Sequence, residues 1–374
     1  MAAVKVLHVY RTYYPDPPGG LQEAIRQIGL ATQNYGVENT VFALSPAPRP
    51  QEIERPEGRV LRARSWWAPA SCDLGGPEAV QMFAELSRQV DVVQYHFPWP
   101  FADVLHALVR PTARTVMTYH SDIVRQKWLG RIYGPLMQRT LDSMSAVIAT
   151  SSTYARTSPV LSQDNLRDKV RVIPLGIVES SYDATGDEAV FQRLGLQGQE
   201  SYFLFIGVLR YYKGIHTLLQ AARRVGARIV IAGSGPQGES LKAMNEQLGN
   251  SNVIFAGQVS DAEKVTLIKQ CRALVLPSHV RSEAFGMVLV EASMFGRPMV
   301  SCEIGSGTSY VNLHEETGLI VPPEEPLALA DALNTLLADA RLAYGYGAAA
   351  RVRYETHFSG PALGRAYADL YNSL

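Results

Sequence analysis

Cysteine is scarce in this chain: Cys72, Cys271 and Cys302 are the only three in 374 residues. Their spacing follows no pattern, which excludes a disulfide framework and a zinc site built on cysteine pairs. The metal-binding patterns D-x-D and H-E-x-x-H are missing too, so no metal is expected in the site. Net charge is also lacking, with 35 Lys and Arg against 35 Asp and Glu, and such a balance gives no support for a nucleic-acid partner. Long apolar runs are absent. A run such as 202–209 falls far short of the roughly 20 residues that span a bilayer. Segment 4–10 reads as a strand with no small-residue cleavage site after it; no signal peptide is expected, and the expected compartment is the cytoplasm. No G-x-G-x-x-G follows the first strand and no G-x-x-x-x-G-K-[ST] occurs, which speaks against a nicotinamide dinucleotide site there and against a P-loop enzyme.

What is present is alternation. A chain of 374 residues is too long for one ordinary core and points to two domains. Short β-rich runs at 4–10, 40–44, 60–63, 92–95, 115–119, 146–149 and 170–177 are mostly separated by helical patterns such as 21–35, 78–89 and 129–143. The polar, glycine-bearing stretch 179–200 contains no strand run and is the linker candidate. The alternation restarts at 202–206 and continues through 229–232, 253–256, 274–277, 299–302 and 319–321. Two successive units of this kind predict two α/β, doubly wound, Rossmann-like domains facing across a cleft. The expected divisions are 1–180, 181–357 and a last helix in 358–374.

Ligands of such sheets bind outside the carboxyl ends of the strands, so motifs at strand ends carry the functional reading. Gly19 and Gly20 follow the first strand and precede a helix; they let backbone amides approach a phosphate, unless the segment is a plain connector. His120 ends the 115–119 strand, with Asp122 near enough to select its tautomer, the alternative being a structural histidine. Arg210 and Lys213 follow the first strand of the second half, three residues apart. Arg offers phosphate a fork and Lys a point charge, the alternative being ordinary surface charge. Gly233 and Gly235 form a second glycine-bearing turn above the same sheet.

The segment from Glu283 to Glu291 is the most informative. Phe285-Gly286-Met287 lies where a helix begins, and Glu291 sits inside an apolar run, 287–295. An ionised buried Glu is costly unless paired. Amides aimed at an anion with a carboxylate on each side suit a ligand that has phosphates and hydroxyls, such as a nucleotide sugar. The alternative is a core helix whose Glu291 pairs with a neighbour. A basic, aromatic stretch around Arg125, Lys127, Trp128 and Arg131 fits either an anionic membrane surface or a solvated helix face.

Together these motifs resemble the retaining glycosyltransferases of family 4, whose fold is GT-B, over nearly the whole chain. The resemblance implies that Arg210 and Lys213 neutralise the donor diphosphate and that Glu283 binds the transferred sugar near its anomeric centre. It further implies that Glu291 binds ribose hydroxyls, that Gly20 sets an amide at the diphosphate, and that His120 contacts the sugar and helps stabilise the transition state. Gly19, Gly233, Gly235, Phe285, Gly286 and Met287 complete the implied donor site. Retention would proceed by front-face departure and attack without a metal, the leaving phosphate acting as base. Ala284 departs from the family's usual small polar or Pro residue, with no consequence for function. The last helix, near Tyr367 and Tyr371, resembles the one that crosses back to the first domain in this family. The opening segment, from Val9 to Glu23, is similar to bacterial O-polysaccharide mannosyl- and rhamnosyltransferases. That similarity implies a GDP-sugar donor and a saccharide acceptor on a polyprenyl lipid carrier, at the inner face of the cytoplasmic membrane. A sugar-nucleotide epimerase of GT-B shape, or a non-catalytic partner of a transferase, is the alternative.

Overall fold

The computed structural model describes residues 3–16, 19–68, 72–123, 127–182, 185–196 and 201–374, with the side chains of 127–132 excepted. The chain divides into two units, Met1–Val178 with Gly360–Leu374, and Glu179–Ser359. The first break falls between Val178, whose N–H donates to Gln27 Oε1 (2.6 Å), and Glu179, whose carboxylate holds Arg351 (2.9 Å). Gly360 returns the chain to the first unit: a Cβ there would lie 2.9 Å from Val178 Cγ2.

The first unit is built on strands β1 (Val4–Val9), β2 (Val37–Ser45), β3 (Glu52–Arg55), β4 (Gly58–Trp67), β5 (Leu74–Gly75), β6 (Val92–Phe97), β7 (Arg114–Tyr119), β8 (Ala146–Ala149) and β9 (Val170–Val172). Helices α1 (Gly20–Gln33), α2 (Pro77–Ser87), α3 (Pro100–Val109), α4 (Lys127–Ser143) and α5 (Ser152–Thr157) connect them. The order is β3-β4-β2-β1-β6-β7-β8-β9, and β5 pairs with β4. The antiparallel β3 and β5 have no counterpart in the sequence expectation, because both are short and half polar; the 170–177 run is strand only to Val172, just short of Pro174. Chain order reverses direction between β1 and β6, the point where ligands of open parallel sheets collect.

The second unit holds β10 (Tyr202–Ile206), β11 (Arg228–Ala232), β12 (Val253–Gly257), β13 (Ala273–Leu276), β14 (Met299–Cys302) and β15 (Gly318–Val321), all parallel, in the order β12-β11-β10-β13-β14-β15. Their reversal lies between β10 and β13. Around them stand α6 (Ala189–Leu194), α7 (Ile215–Ala222), α8 (Gly238–Leu248), α9 (Asp261–Gln270), α10 (Met287–Met294), α11 (Thr308–Val311), α12 (Pro326–Ala338) and α13 (Ala340–Arg353). The inner strands β13 and β14 are buried from end to end and β10 nearly so, as in Phe203–Phe205 and Leu274–Leu276, which is why they read as continuous apolar runs.

Stretch 179–200 is not a free connector. Among its described residues, Asp187 N–H donates to Thr266 Oγ1 (2.7 Å), Arg193 pairs with Glu263 (2.6 Å), and α6 lies within it. Its polarity reflects a surface layer of the second unit. The final helix, α14 (Gly360–Ser373), packs on the sheet of the first unit: Tyr367 OH meets Thr118 Oγ1 (3.3 Å) and Tyr371 OH donates to Gln94 Oε1.

Candidate functional site

At the carboxyl edge of the second sheet, the loop after β10 is pressed between its two neighbours. Gly233, at φ +130°, lies so close that a Cβ would meet Gly207 O at 2.0 Å, and a Cβ on Gly235 would meet Leu209 N at 2.6 Å. Leu209 N–H donates to Ser234 O and Gln237 N–H to Leu209 O, both 3.0 Å. On the other side Gly214, at φ +69°, leaves Pro277 O only 1.9 Å from where its Cβ would be. His279 N–H donates to Tyr212 O at 3.1 Å. No side chain larger than hydrogen fits at these contacts. In this structure Gly233 and Gly235 therefore shape the loop that carries Arg210 and Lys213.

Lys213 forms an ion pair with Glu283 Oε2, which also accepts from Ser278 Oγ (3.0 Å). Burial opposes the lysine's charge, the Glu283 carboxylate and the Tyr212 phenol together outweigh it, and the Lys213 pKa is raised; the Arg210 charge pushes the other way. Both cations stand on the same loop, Arg210 preceding the short helical turn that Lys213 ends. Arg210 is exposed, and its side chain has no hydrogen bond or carboxylate partner among the described residues. Glu283 Oε1 likewise accepts no hydrogen bond there, so a polar acceptor and an unpaired guanidinium lie at the same sheet edge.

Gly286, in the left-handed region at φ +83°, caps α10. The Phe285 side chain is buried and faces Phe358 edge-on at 6.2 Å, so only its backbone is placed to meet a ligand. Glu291 projects from α10 and is 9% exposed. Its Oε1 accepts from Tyr182 OH (2.7 Å) and faces Lys264 Nζ at 3.4 Å, the ammonium lying 4.9 Å from the Tyr182 ring centre. These partners offset its burial, and its Oε2 has no hydrogen bond among the described residues.

In the first unit the carboxyl edge near the β1–β6 reversal carries His120. The expectation that Asp122 selects its tautomer fails: Asp122 Oδ1 is occupied by Tyr119 OH (3.1 Å) and Ser158 Oγ (2.7 Å). His120 Nε2 instead meets His96 Nδ1 at 3.0 Å, and His96 Nε2 meets His8 Nδ1 at 3.1 Å. Burial lowers the pKa of His120 to about 3 and that of His8 to about 4, with His96 also well below the usual range. A neutral imidazole cannot stabilise developing negative charge as a cation, which narrows His120 to hydrogen bonding. Gly19 N–H is taken by Gln22 Oε1 (3.0 Å), whereas a Cβ on Gly20 would meet nothing within 4 Å. Nothing among the described residues of this unit requires glycine at 20.

Beside Lys213, His216, His279 and Glu324 bring ligand atoms within 4.8 Å of one another, the set of metal-ligand type among the described residues. Both ring nitrogens of His279 are buried without a hydrogen-bond partner. Nothing in the residue order marks these three, or Tyr182 and Lys264, as site residues; only the Pro277-Ser278 step preceding Glu283 points to Ser278. Arg125 lies outside the described residues, as do the side chains of Lys127, Trp128 and Arg131, on which the membrane-surface reading rests. No helix among the described residues is long and apolar enough to cross a membrane.

Two family profiles tile the chain: Glycosyltransferase Family 4 over residues 18–180 and Glycosyl transferases group 1 over residues 186–353. The chain is 39% identical over 371 residues to the O-antigen chain mannosyltransferase C of Escherichia coli, covering 99% of each. It is 42% identical over 359 residues to the D-rhamnosyltransferase WbpZ of Pseudomonas aeruginosa, covering 95% of this chain and 92% of the relative. Among solved structures, sucrose-phosphate synthase from Thermosynechococcus elongatus shares the fold with a TM-score of 0.80 at 22% identity, over 99% of this chain and 98% of that one.

Proposed function

The chain belongs to the family 4 glycosyltransferases of GT-B fold, two Rossmann-like domains in one polypeptide, and from that premise we propose a retaining hexosyltransferase of O-antigen synthesis. It moves mannose or D-rhamnose from a GDP-sugar to a saccharide acceptor on a lipid carrier. The names of the two relatives support the sugar and the pathway. The observation that carries the reaction is the Lys213–Glu283 pair beside exposed Arg210, at the reversal point of the second sheet.

Arg210 meets the diphosphate first, as the cation without a carboxylate partner among the described residues. Lys213 adds a second positive charge, so charge that grows on the leaving phosphate is stabilised where it forms. Glu283, its Oε2 held by Lys213 and Ser278, turns Oε1 to the hydroxyls of the transferred sugar. Glu291 does the same for ribose with Oε2. Gly20 leaves space for a phosphate at the N-terminus of α1, and His120 contacts the sugar. Front-face departure and attack, with the leaving phosphate as base, fits a site in which both carboxylates are assigned to binding. The enzyme works in the cytoplasm at the inner face of the membrane, where a lipid-linked acceptor resides.

Thermal melting with GDP, UDP and ADP tests the donor. A ligand at 100-fold its Kd adds about 2.7 kcal/mol, or roughly 5–10 °C for a unit of this size. A rise with GDP alone is expected; a rise with UDP or ADP but not GDP overturns the assignment. Slow release of nucleoside diphosphate from the matching sugar nucleotide separates a transferase from a mere binder.

A further inference from the structure

Three histidines cross the first sheet as a staircase. His8 of β1 lies opposite Gln94 of β6, and His96 of β6 lies opposite Thr118 of β7. Each histidine thus stands two residues beyond the register partner of the one before. An even step keeps the side chains on one face and sets each backbone position about 6–7 Å nearer the carboxyl edge. The rings stack at 5.4 and 5.3 Å between centroids, and His120 is the top step.

The foot of the staircase has a direction. Asn39 Nδ2 faces Gly29 O (3.2 Å) and Thr32 Oγ1 (3.1 Å), while Thr32 Oγ1 itself donates to Ile28 O (2.8 Å). A carbonyl can only accept, so the amide nitrogen must point at Gly29, and Asn39 Oδ1 is left facing His8 Nε2 at 3.0 Å. His8 therefore carries its proton on Nε2. A neutral imidazole has one N–H, so His8 Nδ1 accepts from His96 Nε2–H, and His96 Nδ1 accepts from His120 Nε2–H. Burial keeps all three rings neutral, since it lowers each of their pKa values. The remaining nitrogen, His120 Nδ1, ends the chain with a lone pair and has no hydrogen-bond partner among the described residues.

We propose that Asn39, through His8 and His96, is a positioning residue that fixes His120 as the Nε2–H tautomer. The edge of the sheet then offers a hydrogen-bond acceptor at Nδ1, and the substrate group that meets it is a hydroxyl. A phosphate oxygen, which can only accept, is refused there. The consequence for substrate rests on the reading of His120 as a sugar contact, whereas the tautomer itself does not.

The test uses the full-length protein labelled with ¹⁵N-histidine at pH 7, where two-bond ¹H–¹⁵N spectra report which ring nitrogen holds the proton. With eight histidines in the chain, signals are assigned by their loss in His8→Leu, His96→Gln and His120→Gln. His120 is expected as a single Nε2–H tautomer; an Nδ1–H or doubly protonated ring overturns the proposal. In Asn39→Ala, His120 is expected to show both tautomers in comparable amounts, although it stands three links away, and kcat to fall about 2–10-fold. An Asn39→Ala protein that folds and keeps one His120 tautomer also overturns it. A purely structural role would lower the melting temperature and leave the tautomer alone. Should Asn39→Ala not fold, His8→Leu cuts the relay one ring later and is read the same way. Normal transfer by His120→Ala sinks the sugar contact and leaves the tautomer result standing.

Discussion

Arg210 and Lys213 sit three residues apart on one loop, yet their replacement is expected to have different consequences. Lys213 and Glu283 have side chains only 12% and 10% exposed. Lys213→Ala strands the Glu283 carboxylate with a single Ser278 hydroxyl, and breaking a buried pair from one side costs about 3–5 kcal/mol. At ~2–4 °C per kcal/mol for a unit of this size, melting should fall by roughly 6–20 °C. Arg210 is exposed without a partner among the described residues, so Arg210→Ala should stay within about 0.5 kcal/mol of the native stability. On the proposed assignment both cations face charge that grows as the sugar–phosphate bond breaks, and the loss of one such donor should lower kcat by roughly 10²–10³, or ~2.7–4 kcal/mol. Steady-state release of nucleoside diphosphate, with melting curves beside it, separates the two effects. Arg210→Ala should be slow and stable; Lys213→Ala should be slow and unstable. If Arg210→Ala changes neither kcat nor donor KM, the diphosphate does not bind here. If Lys213→Ala melts like the native protein, the pair does not hold the loop.

Three further outcomes are expected. Glu291→Gln keeps an oxygen for Tyr182 but loses the charge, so donor KM should rise about 10–100-fold, from ~1.5–3 kcal/mol for a hydrogen bond to a charged group; kinetics with an unchanged KM would refute the ribose contact. Transfer should survive excess EDTA and the His216→Ala change, whereas a loss restored by Mg²⁺ or Mn²⁺ would assign catalysis to the His216, His279 and Glu324 cluster. Acid should loosen the first unit. His8 and His120 titrate near 4 and 3 in the native state against 6.5 when unfolded, so their stability contribution is complete above pH 6.5 and shrinks as pH falls toward those values. Between those limits each ring gives up about 1.36 kcal/mol for every tenfold rise in proton concentration. Asp103, raised to about 6 by burial, works in the opposite direction and reduces the net loss. Scanning calorimetry at pH 7 and 4.5 decides it, and equal melting temperatures would contradict buried neutral rings.

The strand runs, the restart of alternation near 202 and the glycine-bearing turns are local patterns, so two doubly wound units and the loops that end their strands are legible in residue order. The residue types that the site offers are legible in the same way: two cations, two carboxylates and a strand-end histidine. The division between the two units falls at the start of stretch 179–200, whose described residues belong to the surface layer of the second unit, because polarity marks such a layer as readily as a connector. Which group meets which is a property of the assembled sheets. Lys213 and Glu283 are 70 positions apart, and Tyr182 and Glu291 are 109; such contacts depend on which strands become neighbours and on the height at which each loop leaves the sheet. The partner of His120 shows this most plainly. Asp122 is two residues away in sequence, but it turns to Tyr119 and Ser158. His96 is 24 residues away, and the parallel register of β6 and β7 brings its ring to bonding distance, because strands that pair side by side align positions far apart in the chain.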